Sequence, residues 1–169
     1  MATLPAICGF VGGVLGGILS DALLRHGYSL TVARKLPIIV GLLLSTVMLG
    51  CNFIHVDWLV VVVMSLAFFG KGIGALGWAV VADASPRRMA GLSGALFNAF
   101  GNTAAITTPI IIGYIVAATG TFGGALVFVV ANAVVAILSY LVIVGPIARL
   151  ELDDSRVVSR RVGSGGRSV

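Results

Sequence analysis

The chain has 169 residues, of which 59% are hydrophobic and only 10% are charged, and its mean hydropathy is +1.12. This apolar share is far above that of an ordinary soluble domain, so the composition excludes one and indicates an integral membrane protein. A net charge of +5 could suggest nucleic-acid binding. The positions of the basic residues explain the excess without a nucleic-acid partner, as described below.

Five apolar stretches are long enough to cross a hydrocarbon core of about 30 Å, which needs about 20 helical residues. They cover approximately residues 3–24, 37–53, 58–82, 91–118 and 122–145. The alternation of barrel strands is missing, so helices are the expected spanning element. The sequence predicts an all-α transmembrane bundle over residues 1–148 and a disordered cytoplasmic tail over residues 149–169. No secretory signal pattern opens the chain, so the first span is expected to be retained.

The basic residues predict the orientation of these spans. Apart from Lys71, they all follow the first, third or fifth span: Arg25, Arg34 and Lys35; Arg87 and Arg88; and Arg149, Arg156, Arg160, Arg161 and Arg167. The opposite loops, residues 52–57 and 119–121, carry none. By the positive-inside rule, the N-terminus is expected outside the cell and the C-terminus in the cytoplasm.

The first span is rich in glycine. Gly9, Gly13 and Gly17 form one small-xxx-small ladder, and Gly12 with Gly16 forms a second. Such ladders let neighbouring helices approach closely. The same surfaces could also let helices slide during alternating access, and the sequence leaves both interpretations open.

Lys71 is a lone cation in the middle of the third span. A charge at the bilayer centre costs about 2.5–3.5 kcal/mol on insertion scales, so it indicates a partner or a function. At about 1.5 Å per residue, Lys71 is too far from either end of the span for its ammonium to reach the interface. A structural ion pair with another helix remains possible, but a solute site facing an aqueous cavity is favoured. The flanking glycines also weaken the helix, as in transporter helices that break at the solute.

Three further polar or aromatic side chains are candidates for the same site. Trp78 follows Lys71 by two turns, and Asn98 and Asn102 share one face of the fourth span. Packing is the alternative for the tryptophan, and interhelical hydrogen bonding is the alternative for the two asparagines.

Enzymatic and cofactor chemistry is not expected. No serine, histidine and carboxylate group can converge as a catalytic set. Cys8 and Cys51 lack metal-ligand spacing, so no metal site is predicted. The glycines between Gly72 and Gly77 match a dinucleotide fingerprint formally, but they lie inside a membrane run without the required soluble strand. We therefore predict a membrane protein without cofactor or metal.

Several motifs resemble known transporters. Gly17-x-x-x-Asp21, followed by Arg25, Arg34 and Lys35, resembles the signature loop of the major facilitator superfamily in its second-half copy. The five spans resemble helices 8–12 of its twelve-helix fold. The stretches 68–78 (FFGKGIGALGW) and 91–102 (GLSGALFNAFGN) are similar to the anion:cation symporter family, above all to its bacterial glucarate/galactarate transporters.

This resemblance implies proton-coupled uptake of sugar-acid anions across the inner membrane by alternating access. It implies that Trp78 and Asn98 contribute to substrate binding, to which the residues themselves add Lys71 and Asn102. It also implies that Gly17, Asp21, Arg25, Arg34 and Lys35 form a cytoplasmic gate or signature loop.

The expected partners are the sugar-acid anion, protons, the lipid bilayer and a missing N-terminal half that would carry the proton-coupling carboxylates. The chain is therefore interpreted as a fragment of the transporter. Two alternatives are a symporter for monocarboxylate sugar acids such as galactonate and a small, self-contained membrane subunit or assembly protein.

Overall fold

The computed structural model describes residues 3–148, so the predicted disordered tail at 149–169 lies outside the described residues. Within residues 3–148 there is no β-strand, and five helical segments are long and apolar enough to cross a membrane. The all-α prediction with five membrane helices is therefore confirmed. The spans run over Thr3–Arg25, Leu30–Phe53, Asp57–Ala84, Arg87–Thr119 and Gly123–Ile143.

Six α-helices build these five spans, because one span is interrupted. They are α1 (Thr3–Arg25), α2 (Leu30–Ser45), α3 (Asp57–Ile73), α4 (Gly77–Ala84), α5 (Ala90–Thr119) and α6 (Gly123–Leu138). A 3₁₀ segment, Thr46–Phe53, extends α2, and a π-helical turn, Ser139–Ile143, extends α6. Helix α3 packs against both α1 and α2, whereas α5 packs against α4 and α6.

Helix α1 contacts α3 backbone to backbone through its glycines. A β-carbon on Gly16 would stand 2.6 Å from the carbonyl oxygen of Ile73, and one on Gly12 would overlap the backbone of Phe69. Gly17 has no atom within 4 Å of the same position. The close packing predicted from the glycine ladders is therefore present along Gly12 and Gly16, and Gly17 lies outside it.

Helix α2 approaches α3 in the same way through Gly41. A β-carbon there would stand 2.5 Å from the carbonyl oxygen of Gly70, and one on Gly70 would stand 2.8 Å from the carbonyl oxygen of Gly41. Glycines on α3 thus admit a neighbouring backbone on each side. The part of α3 that carries Lys71 therefore lies between α1 and α2, at backbone separations that a side chain in place of these glycines would prevent.

Helix α2 begins at Leu30, seven residues before the expected start of the second span at residue 37. Ser29 caps it, since its hydroxyl accepts a hydrogen bond from the amide of Val32 at 3.4 Å. Pro37 therefore lies inside the helix rather than at its first residue. Arg34 and Lys35 are consequently helical residues with fixed directions, not members of a loop.

Pro37 cannot donate a hydrogen bond to the carbonyl of Ala33, four residues earlier. The hydroxyl of Ser20 on α1 donates to that oxygen at 2.8 Å, and both Ser20 and Ala33 are completely buried. Buried carbonyl groups need a partner. A neighbouring helix thus supplies the donor that the proline removed.

The third span is broken shortly after Lys71. Helix α3 ends at Ile73 and α4 begins at Gly77, so residues 74–76 connect the two pieces. The amide of Gly74 closes the end of α3 by donating to the carbonyl of Gly70 at 3.1 Å. Lys71 therefore lies in the last turn of one helical piece, and Trp78 lies in the first turn of the next.

The residues that follow α6 bond to the first turns of α2. The amide of Ile147 donates to the hydroxyl of Thr31 at 2.9 Å, and Ile147 is buried. The ammonium of Lys35 donates to the carbonyl of Val144. The chain beyond the π-helical turn is therefore held against α2.

Candidate functional site

Arg34 is the centre of a charged network that joins three helices. Its Nε donates to Oδ2 of Asp83 on α4 at 2.7 Å, and its Nη1 lies 3.6 Å from Oδ1 of Asp21 on α1. The arginine side chain is 13% exposed and that of Asp83 is 25% exposed, whereas that of Asp21 is 58% exposed. Asp83 is therefore the stronger partner, since water screens the pair with Asp21 more effectively.

Ser20 connects this network to the proline of α2. Nη1 of Arg34 donates to the hydroxyl oxygen of Ser20 at 2.9 Å, and the same hydroxyl donates to the carbonyl of Ala33. The guanidinium fork can reach two acceptors in different directions, which a lysine ammonium on a flexible stem does less well. One arginine thus fixes the relative positions of α1, α2 and α4.

The structure separates the residues of the predicted signature loop. Arg34 and Asp21 belong to the network, but Lys35 points its ammonium at the carbonyl of Val144. Arg25 is the exposed last residue of α1. Gly17 has open space where a side chain would begin. A role for these five residues as a gate stays a prediction.

The sequence did not single out Asp83 or Ser20 as members of this network. Asp83 is 49 positions from Arg34 along the chain, so no local spacing relates the two. A signal for Ser20 existed in Pro37, because a proline inside a membrane helix leaves a carbonyl that needs a donor from elsewhere. Only the packing of α1 on α2 identifies which donor.

Lys71 is exposed and lies beside an aromatic ring of its own helix. Its Nζ is 5.7 Å from the ring centroid of Phe68, one turn earlier. Within residues 3–148, both ion pairs are made by Arg34, and no carboxylate pairs with Lys71. The structural ion pair considered from the sequence is thus not formed in the part of the chain that the structure describes.

Trp78 packs against α5. Its ring and that of Phe97 meet edge to face, with centroids 4.9 Å apart and planes at 75°. A β-carbon on Gly77 would stand 2.8 Å from Cζ of Phe97, and one on Gly94 would stand 3.5 Å from Cζ3 of Trp78. Trp78 nevertheless remains 55% exposed. It has a packed edge and an open surface, so packing and a binding role are compatible.

Asn98 and Asn102 lie on α5, and Asn98 directly follows the phenylalanine that contacts Trp78. Both asparagines are exposed, and their amides make no hydrogen bond to any residue between 3 and 148. The contact between α4 and α5 joins Trp78 to Phe97, the residue before Asn98. No hydrogen bond joins Lys71 to these residues among those described.

These side chains offer anion-binding and hydroxyl-binding groups, without the donors of a metal centre. Among the described residues, no group of three histidine, cysteine, aspartate or glutamate side chains is arranged to hold a metal ion. Lys71 provides a cation, the two asparagines provide amide donors and acceptors, and Trp78 provides an aromatic face. A site that brought these groups together would suit a small hydroxylated anion, and their convergence stays a prediction.

No protein-family model matches the chain. Curated proteins match it over most of its length. It is 71% identical over 152 residues to a protein of Bacillus subtilis named as a probable galactarate/D-glucarate transporter, and 60% identical to one of the same name from Escherichia coli K12. A D-galactonate transporter of Escherichia coli O6:H1 is 41% identical over 150 residues.

The first two matches cover 90% of this chain but only 33% and 34% of the relatives, so the chain spans about a third of their length. All three relatives are named as transporters rather than enzymes, which supports the expectation that the chain is not an enzyme. With five apolar helices long enough to cross a membrane, it is a multi-pass membrane protein. At up to 71% identity across nine-tenths of its residues, the chain is homologous to about a third of the length of bacterial proteins that are named as probable galactarate/D-glucarate transporters.

Proposed function

We propose that the chain is part of a secondary active transporter that takes up sugar-acid anions of the galactarate and glucarate type together with protons, by alternating access. The observation that carries the proposal is the 71% identity to a relative named for these two solutes. The cation at Lys71, which pairs with no carboxylate among residues 3–148, supports it, because a dicarboxylate needs positive charge at its site.

The remainder of such a transporter would come from a portion that this chain does not contain, since the chain spans about a third of the relatives' length. That portion would supply the proton-coupling carboxylates and complete the cavity. The positive-inside pattern supports a place in the inner membrane with the N-terminus outside and the C-terminus in the cytoplasm. Asp21, Arg25, Arg34 and Lys35 would then lie near the cytoplasmic surface, with Gly17 one turn deeper.

Within the site, Lys71 would pair with one carboxylate of the solute, and Asn98 and Asn102 would bond its hydroxyl groups. Trp78 would cover the carbon chain. Two features support these roles: the amides are exposed without a hydrogen-bond partner among residues 3–148, and Trp78, which contacts Phe97 on the same helix as the asparagines, keeps an open surface. Lys71 lies next to a helix break, where transporter helices commonly bind solutes.

The experiment uses a chimera in which this chain replaces the matching third of the Bacillus subtilis relative. Uptake of labelled galactarate into proteoliposomes is measured with and without an inward proton gradient. Gradient-driven uptake is the expected result. A correctly inserted chimera that transports no sugar acid would contradict the proposal and favour an assembly subunit.

A substitution at Lys71 then tests the binding role. Removing the cation should reduce uptake of a diacid more than uptake of a monoacid, because only the diacid has a second carboxylate to pair. We expect Lys71→Gln to lower galactarate uptake about tenfold or more relative to galactonate, consistent with about 1.5–3 kcal/mol for a charged hydrogen bond. Lys71→Arg, which keeps the charge, serves as the control. Equal losses for both solutes would contradict the pairing of Lys71 with the second carboxylate.

A second candidate is uptake of monocarboxylate sugar acids such as galactonate. The 41% identity to a D-galactonate transporter favours keeping it. The same uptake assay separates the two, because a monocarboxylate transporter would prefer galactonate and would depend equally on Lys71 for both solutes.

A further inference from the structure

Phe68 is the aromatic side chain that accompanies Lys71. The two residues are three positions apart on α3, so they share one helix face, and the lysine stem points back along the helix towards the ring. The distance of 5.7 Å from Nζ to the ring centroid is within the range of about 6 Å at which a cation is attracted to an aromatic face.

This ring matters because of where the lysine lies. Lys71 is in the interior of a 28-residue apolar span, and no carboxylate of residues 3–148 pairs with it. The electron-rich face of an aromatic ring attracts a cation while remaining compatible with an apolar surrounding. Among residues 3–148, the ring of Phe68 is thus the group that lies close enough to attract this charge.

The position of the ring is itself set by α1. A β-carbon on Gly9 would stand 3.7 Å from Cδ1 and 3.8 Å from Cβ of Phe68, so the phenylalanine lies directly against the backbone of α1. The adjacent glycines hold α1 and α3 in close contact around this point. A ring supported by two helices can fix the direction of the lysine side chain, which by itself is flexible.

We propose that Phe68 is a positioning residue of the substrate site: its ring holds the Lys71 ammonium by a cation–π contact and presents it to a carboxylate of the solute. This inference rests on the proposed function for the role of Lys71 in binding. The contact between the ring and the ammonium can be tested separately from transport.

Uptake kinetics in the chimera test the functional part. Phe68→Leu keeps an apolar side chain but removes the aromatic face, and we expect it to raise KM for galactarate about two- to fivefold with little change in kcat. Phe68→Trp keeps an aromatic face and should retain a low KM. In the Lys71→Gln background, Phe68→Leu should have no further effect on KM. An equal increase in both backgrounds would show a packing role and overturn the proposal.

Nuclear magnetic resonance of the chain itself tests the contact. Lys35 and Lys71 are its two lysines, so reductive methylation with ¹³C gives few signals, and Lys71→Gln identifies the one from Lys71. Methylation keeps the positive charge. We expect the Lys71 methyl signal in detergent micelles to be shifted by the aromatic ring current and to move to an ordinary position in Phe68→Leu.

The two measurements fail in different ways. An unshifted Lys71 signal in the parent chain would overturn the positioning role whatever the chimera transports. A shifted signal together with a chimera that takes up no sugar acid would contradict the proposed function while leaving the ring and ammonium contact in place.

Discussion

Replacing Ser20 by alanine should lower the free energy of unfolding by more than the small change in the side chain suggests. The Ser20 hydroxyl donates to the carbonyl of Ala33, which cannot receive the usual helix hydrogen bond because residue 37 is proline. Both Ser20 and Ala33 are 0% exposed, so water cannot replace the lost donor. Ser20→Ala therefore leaves a buried carbonyl without its bond and removes an acceptor of Arg34.

The expected magnitude follows from the orphaned carbonyl. A buried polar group that loses its partner costs about 1–3 kcal/mol. Ser65→Ala is the matched control, since Ser65 is also buried and its hydroxyl donates to the carbonyl of Val61 at 2.7 Å. That carbonyl is four residues earlier in the same helix, where the Ser65 amide can bond it. Removing such a hydroxyl should change stability little, because back-bonding of this kind slightly weakens helices.

The free energy of unfolding is measured by titrating the chain in mixed micelles with a denaturing detergent. Pro37→Ala provides a second, more specific test, because it restores an amide that can donate to the carbonyl of Ala33. In that background, the loss caused by Ser20→Ala should shrink by about 1 kcal/mol or more. Equal losses for Ser20→Ala and Ser65→Ala, or an unchanged loss in the Pro37→Ala background, would refute the reasoning.

Two further predictions concern the packing of α1 and the network around Arg34. Gly16→Ala should lower the free energy of unfolding by about 1–3 kcal/mol relative to Gly17→Ala, because a new β-carbon would stand 2.6 Å from a backbone oxygen at the first position and meets open space at the second. Similar values from detergent titration would contradict the observed helix contact. Arg34→Lys should cost about 1–2 kcal/mol in the same assay, because one ammonium cannot replace a fork that bonds both Asp83 and Ser20. The exposed Arg25→Lys is its control, and equal effects would argue against a structural network.

The membrane helices could be predicted from the sequence because apolarity over about 20 residues is a local property. Turn and cap residues decide where each helix begins and ends, and in α2 the cap changed the first residue of the helix. The start of α2 was expected at Pro37, but Ser29 begins the helix at Leu30 because a serine cap and a proline tolerated through a neighbour's hydroxyl extend it. The sequence of one helix does not show that a neighbouring helix supplies the donor that a proline lacks.

The residues of the candidate site were proposed from the sequence, and their role in binding stays a prediction. A lysine inside an apolar span indicates a function from its cost alone. Its neighbour Phe68 was visible in the sequence at helical spacing, yet the ring became informative only when its position against α1 was known. Likewise, Trp78 and Phe97 are distant in the sequence, and only the contact of α4 with α5 brings their rings together.

The sequence by itself predicted that the chain crosses a membrane as five helices and that glycines on its first helix allow close packing, and it singled out Lys71 as a candidate for solute binding. Only the tertiary structure decided which glycines contact a neighbouring helix and that Arg34 pairs with Asp83. It also decided that the hydroxyl of Ser20 replaces the amide donor that Pro37 lacks. The physical reason is that hydrophobicity acts on each residue separately, whereas backbone contacts and hydrogen bonds depend on which distant atoms meet.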